Sequence, residues 1–124
     1  LRYAGRHCGQ RDSSGAVLAG RCTYRVAGPT PGASYWTLTA YDHEGATGES
    51  QGLRAGFTSA EIIRYENQPA VIMLSAEAQP GNWVPLKADG TFEVILRLYD
   101  MQVSASAHAL DASALPEIQR VRCS

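Results

Sequence analysis

The clearest regularity in the chain runs in two-residue steps. Over residues 21–27, Cys22, Tyr24 and Val26 alternate with Arg21, Thr23 and Arg25, so an extended segment there has one apolar and one polar face. Residues 34–41 set Trp36, Leu38 and Ala40 against Tyr35, Thr37, Thr39 and Tyr41, aromatic and β-branched types that suit a pleated surface. The longest run is 91–99, with Phe92, Val94, Leu96 and Leu98 on one side and Glu93, Ile95, Arg97 and Tyr99 on the other. Residues 117–123 close the chain as a further strand, and residues 61–65 and 70–76 read as the arms of a hairpin across 66–69. Glycine, proline, aspartate and asparagine punctuate these segments at 12–15, 28–32, 42–45, 79–82 and 88–90, each a turn by composition. Residues 45–56, with four glycines, read as an irregular or edge segment. Thr58 and Glu61 have capping-box spacing, but no helical period follows, so one turn of helix at most is expected. The alanine-rich tail 104–115 reads as a loop with a short helix. Short strands between frequent turns predict an all-β fold, an antiparallel β-sandwich in a single domain over 1–124.

Composition narrows the function classes. A length of 124 residues fits one domain and excludes a full α/β-hydrolase, an eight-fold β/α barrel or a kinase. With 44% hydrophobic and 19% charged residues the chain can fill a core, unlike a disordered tail. Eleven basic and twelve acidic residues leave a formal charge of -1, which offers no electrostatic footprint for nucleic acid or an anionic membrane. No apolar run approaches the roughly 20 residues of a membrane helix. The chain opens on Leu1 without a signal-like segment, so a fragment is expected whose targeting or anchoring segment lies upstream.

Three cysteines, Cys8, Cys22 and Cys123, lack the spacing of a zinc site. Cys22 shares a face with Tyr24 and Val26, and Cys123 with Val121, so both are expected to point inward. A Cys22–Cys123 bridge would close a loop worth about 4.7 kcal/mol of chain entropy, against about 3 kcal/mol for a short Cys8–Cys22 loop. Three reduced thiols remain the third arrangement.

Candidate chemistry is sparse. Residues 48–52 match G-x-S-x-G around Ser50, with Asp100 and His108 following in the order of a hydrolase triad. A nucleophile elbow needs an apolar strand before it and a helix after it, and neither flank qualifies, so a glycine-rich loop is expected. His7, His43 and His108 are scattered and read as surface residues, with no metal site. Asp42 and Asp100 both end the pattern L-x-x-Y-D; if those ends met, the carboxylates could share a proton or a cation, whereas the ordinary role is to cap a turn. Trp83 lies in a proline-bounded loop, where it plugs one end of the sandwich or lines a pocket. Arg97 interrupts an apolar strand, and either pairs with Glu93 or Asp100 or captures an anionic or carbohydrate-like ligand against Tyr99.

Three ordered segments, SYWTLTAYD at 34–42, GNWVP at 81–85 and FEVILRLY at 92–99, resemble the bacterial domain of unknown function 1214 family. That family shows a YW-x-L-x-x-YD strand, an NW-[LV]-P loop and an apolar strand ending in LRLY; the resemblance covers residues 22–99 well. It implies an antiparallel, jelly-roll-like sandwich found either behind a second uncharacterised domain or in short bacterial envelope proteins with an N-terminal membrane segment, and this chain resembles the short kind. The matching positions are Trp36, Tyr41, Asp42, Asn82, Trp83, Pro85, Arg97 and Tyr99, and no reaction, cofactor or catalytic residue comes with them. An exported location, periplasmic or in the cell envelope, would support a disulfide, with the membrane reached only through a segment missing from this chain. The expected function is a non-enzymatic module that binds a small molecule, glycan or envelope protein through Trp83, Arg97, Tyr99, Trp36 and Asp42, without a cofactor. The alternatives are a small hydrolase or isomerase using Asp42 and Asp100, and a purely structural support domain.

Overall fold

Alternating segments bury their apolar faces by pairing, and in the computed structural model they do so as two stacked sheets. The structure describes residues 2–29, 33–65, 67–101 and 115–124. Its strands are β1 (Tyr3–Gly9), β2 (Cys22–Ala27), β3 (Ala33–Asp42), β4 (Gly56–Thr58), β5 (Val71–Ser75), β6 (Asn82–Pro85), β7 (Phe92–Met101) and β8 (Glu117–Cys123). One four-stranded sheet has the order β1-β7-β3-β4 and the other β6-β5-β2-β8. The pairs are antiparallel except β5 with β6, which run parallel. The β-sandwich read from the sequence is the observed fold.

The apolar faces meet between the sheets. Tyr24, Val26, Ile72, Leu74 and Val84 from one sheet pack against Trp36, Leu38, Phe57, Phe92, Val94, Leu96 and Leu98 from the other. Each such side chain contributes about 1.5–3 kcal/mol by leaving water. Tyr24 joins the layers: its ring meets the Phe92 ring edge-on with centroids 5.6 Å apart. Its hydroxyl accepts from the Ala19 N–H at 2.9 Å, so the buried phenol leaves no polar atom unpaired.

Several expectations need correction. Residues 61–65 are not a strand, and the hairpin across 66–69 does not form; β5 pairs with β2 and β6 instead. The reason is a side chain that replaces a strand partner: the Asn82 amide accepts from the Ile63 N–H and donates to the Ile63 carbonyl, both at 2.8 Å. With its backbone satisfied there, the segment has no need of a ladder. The Trp83 segment, read as a loop, is the edge strand β6. β1 carries no apolar alternation and was not anticipated. The glycine-rich stretch contains a short 3₁₀ turn, Gly48–Gln51, before the edge strand β4. Glu61 does reach back to the Thr58 N–H at 3.0 Å, but only a turn results. Residues 30–32 of the expected 28–32 turn, and all but the last residue of the tail 104–115, lie outside the described residues.

Cys22 and Cys123 face each other across β2 and β8 and are joined by a disulfide, while Cys8 is free and exposed. Only Cys22 is buried. Cys123 and Val121 are exposed, against expectation, because β8 is an edge strand and the register slips between Thr23 and Tyr24. That slip leaves Val121 in the bulge rather than facing the core.

Candidate functional site

The outward face of the β1-β7-β3-β4 sheet collects what chemistry the fold displays. Pleating sends Phe92, Val94, Leu96 and Leu98 inward, so Glu93, Arg97 and Tyr99 emerge on the opposite face with Tyr35, Thr37, Thr39 and Tyr41 of β3. β1 adds Tyr3 opposite Tyr99 and Arg6 opposite Arg97. Two rows therefore cross the sheet: Tyr3, Tyr99 and Tyr35, then Arg6, Arg97, Thr37 and Thr58. The tyrosine rings sit with centroids 5.7 Å apart at each step of their row.

Arg97 is half-buried. Its Nη2 donates to the Tyr41 hydroxyl at 3.0 Å, and its guanidinium lies 5.7 Å from the Tyr41 ring centroid. It pairs with neither Glu93 nor Asp100, which corrects that expectation, and among the described residues neither Arg6 nor Arg97 forms an ion pair. Glu93 accepts instead from the Gln10 amide at 3.3 Å, and Asp100 from the Arg2 N–H at 2.9 Å. Like charges set opposite each other on neighbouring strands cost free energy unless an anion comes between them. Beside this pair a shallow groove of about 740 Å³ is bordered by Thr37, Thr39, Thr58, Arg97 and Tyr99, with the Arg54–Glu61 ion pair at its far rim.

The other expected site residues do not join it. Trp36 is 5% exposed and belongs to the core. Trp83 is half-buried on β6, in the opposite sheet, and its indole N–H donates to the Ser75 carbonyl at 2.9 Å. That bond fastens the edge strand to the end of β5, so Trp83 neither plugs the sandwich nor faces Arg97. Asp42 caps its turn: Oδ1 accepts from the Glu44 and Ala46 N–H groups at 2.9 and 3.0 Å. Those backbone donors, Ala46 foremost, hold its carboxyl below the usual range against the opposing effect of burial, with help from Lys87 and His43.

Because β3 and β7 run antiparallel, Asp42 lies opposite Phe92 at one end of the sheet, whereas Asp100 lies at the other. Eight residues along β7 separate them, roughly 27 Å at about 3.4 Å per residue. Catalytic carboxylate pairs lie about 5–9.5 Å apart, so these two cannot flank one bond. Ser50 stands in the exposed 3₁₀ turn, its hydroxyl directed at the Thr47 carbonyl at 3.4 Å, with none of the strand-turn-helix setting of a nucleophile elbow. His108, the third member of that constellation, lies outside the described residues. His7 faces inward from β1 and is half-buried, and His43 is exposed in its turn beside Glu44 at 3.6 Å. Among the described residues no three His, Cys, Asp or Glu side chains gather into a metal-binding group. Arg6 was missed because nothing in the sequence marks 3–9 as a strand; only the register opposite β7 reveals it.

A family model described as "Protein of unknown function (DUF1214)" matches residues 6–103. No curated protein matches the sequence. Among solved structures, the VPA0106 protein from Vibrio parahaemolyticus is similar with a TM-score of 0.78 and 21% identity, over 97% of this chain and 31% of that one. An uncharacterised protein from Burkholderia cenocepacia is similar with a TM-score of 0.57 and 19% identity, over 95% of this chain and 35% of that one. The chain thus spans about a third of each, and the likeness is one of fold.

Proposed function

The chain belongs to the DUF1214 family of proteins of unknown function, and from that premise we propose that it is a non-enzymatic binding module which takes an anionic glycan on the outer face of the β1-β7-β3-β4 sheet. The observation that carries this reading is the pairing of Arg6 with Arg97 in adjacent strands, without a carboxylate for either among the described residues. A guanidinium presents a planar fork of donors that matches a carboxylate or sulfate group. Tyr3, Tyr99 and Tyr35 supply flat rings with polar tips beside it, and Thr37, Thr39 and Thr58 offer hydroxyls that donate to and accept from sugar hydroxyls. The groove is open and shallow, as suits a chain-like ligand rather than a small enclosed substrate.

The Cys22–Cys123 disulfide supports an oxidising compartment, and our reading puts the domain in the bacterial periplasm or cell envelope. No helix among the described residues is long and apolar enough to cross a membrane.

The test compares a polyuronate hexasaccharide with a neutral glucan hexasaccharide by calorimetry. The acidic ligand should bind at least tenfold more tightly, Arg97→Ala and Arg6→Ala should each remove most of that preference, and the melting temperature of Arg6→Ala should stay within about 2 °C of the parent. Equal affinity for both ligands, or binding of neither, would reject the proposal.

A further inference from the structure

The strand register exposes an oddity on the outer sheet face. Ile95 points outward, since its neighbours Val94 and Leu96 point into the core, yet it is only 7% exposed. Arg97 lies opposite Thr37 and Tyr41 lies opposite Glu93, with the Ile95 and Thr39 pair between those two levels. The Arg97 side chain bridges the gap, because its Nη2 donates to the Tyr41 hydroxyl at 3.0 Å and its guanidinium carbon lies 5.7 Å from the Tyr41 ring centroid. A side chain that joins two levels of a sheet must run along its surface, and its methylenes then lie over Ile95 and shield it from water. Arg97 is therefore laid down on the sheet instead of reaching into solvent.

The direction of the lean matters for charge. Tyr41 is on β3 and Arg6 on β1, on opposite sides of β7. The bond to Tyr41 thus draws the Arg97 guanidinium toward β3 and away from Arg6, which limits the like-charge cost of setting the two opposite each other. The surrounding carboxylates are engaged elsewhere or stand apart. Glu93 accepts from the Gln10 amide at 3.3 Å, Asp42 from the N–H groups of its own turn, and Glu61 pairs with Arg54 at 3.2 Å. Glu49 borders the groove from the 3₁₀ turn and forms no ion pair among the described residues. A carboxylate partner would neutralise Arg97, whereas a phenol oxygen takes one N–H and leaves the charge and the remaining donors to a ligand.

We infer that Tyr41 is the positioning residue of the outer-face anion site, its hydroxyl fixing the Arg97 guanidinium against the sheet before an acidic glycan arrives. The inference rests on the outer-face reading and adds to it a residue that acts through Arg97 without touching the ligand. An arginine free to rotate gives up rotamer freedom on binding; a latched one has already done so, and the difference appears as affinity.

The experiment measures the affinity of the polyuronate hexasaccharide for the parent, Tyr41→Phe, Arg97→Ala and the double variant by calorimetry. It also follows the Arg97 guanidinium N–H signals by NMR without ligand. Tyr41→Phe keeps the ring and removes only the oxygen, so it should weaken binding about fivefold while the melting temperature stays within about 2 °C of the parent. In the Arg97→Ala background the same substitution should change the affinity less than about twofold, since nothing is left to position. Rotation of the Arg97 guanidinium should be slow in the parent and fast in Tyr41→Phe. A parent that binds polyuronate no better than neutral glucan rejects the outer-face reading and the inference with it. A parent that keeps its acidic preference while Tyr41→Phe binds equally well, or an equal loss in both backgrounds, would overturn the inference alone. So would Arg97 signals that Tyr41→Phe leaves unaltered, a readout that needs no ligand and stands even where Arg97→Ala binds too weakly to measure.

Discussion

Asn82 shows how much one side chain can determine. It is 4% exposed, and its amide bonds the Ile63 N–H, the Ile63 carbonyl and the Val71 carbonyl at 2.8–2.9 Å. The segment after β4 is thereby tied to the second sheet without being a strand. Truncation would orphan three backbone groups at once, so Asn82→Ala should lower stability by about 2–4 kcal/mol in a urea titration. Asp12 and Asp42 act at the same scale through acid. Both carboxyls are held below the usual range of about 4 by hydrogen bonds, Ser14 leading for Asp12 and the Ala46 N–H for Asp42. A lowered folded-state value means that their stabilisation is complete above that range and disappears as pH falls through the lower value. The urea midpoint should therefore drop steeply below about pH 4, and an Asp12→Asn, Asp42→Asn double variant should show a flatter acid limb than the parent.

At the scale of elements, the most consequential join is that of β8 to β2. β8 is an exposed edge strand whose inward contribution is mainly Ile118, and a disulfide with a sequence separation of 101 secures its far end. Cys22→Ser with Cys123→Ser should cost about 2–5 kcal/mol, measured as the difference in unfolding free energy from the oxidised parent. At the opposite sheet edge, β4 lies so close to β3 that a Cβ on Gly56 would run into the Leu38 carbonyl and the Thr39 Cα. Both obstacles are backbone, so Gly56→Ala should loosen β4 and lower the melting temperature by several degrees.

The same scale explains which elements were legible in the sequence. β2, β3, β5, β7 and β8 carry alternation or β-prone side chains and lie within two residues of their expected ends. β1 was not, because its inward positions are Gly5, His7 and Gly9, which leave no hydrophobic signal at an edge. β6 is four residues ending on Pro85 and pairs in parallel, a contact that local pattern does not encode. Alternation likewise says which face a residue takes but not which way its neighbour runs, which is how Asp42 and Asp100 could look like a pair and lie at opposite ends of one sheet.

For the whole molecule, two surfaces with different chemistry follow from one sandwich. The outer sheet face is wet, aromatic and basic at Arg6 and Arg97; the β1–β8 margin is a cleft floored by Val26, Leu38, Val94 and Leu96 with Asp12 and Glu117 at its border. Of the outer site, Arg97 and Tyr99 were legible as an interruption of an apolar strand, whereas Arg6 became visible only through strand register. Trp36 stands out as a position of the family motif and Trp83 as an aromatic in a proline-bounded segment, and packing assigns them to the core and to an edge strand. The most direct measurement of the central claim maps where an acidic glycan lands: amide shifts of the isotope-labelled domain during titration with a polyuronate hexasaccharide. The prediction is that the largest shifts fall on Arg6, Thr37, Arg97 and Tyr99 and vanish in Arg97→Ala; shifts centred on the β6 edge or the β1–β8 cleft, or a pattern untouched by Arg97→Ala, would contradict it.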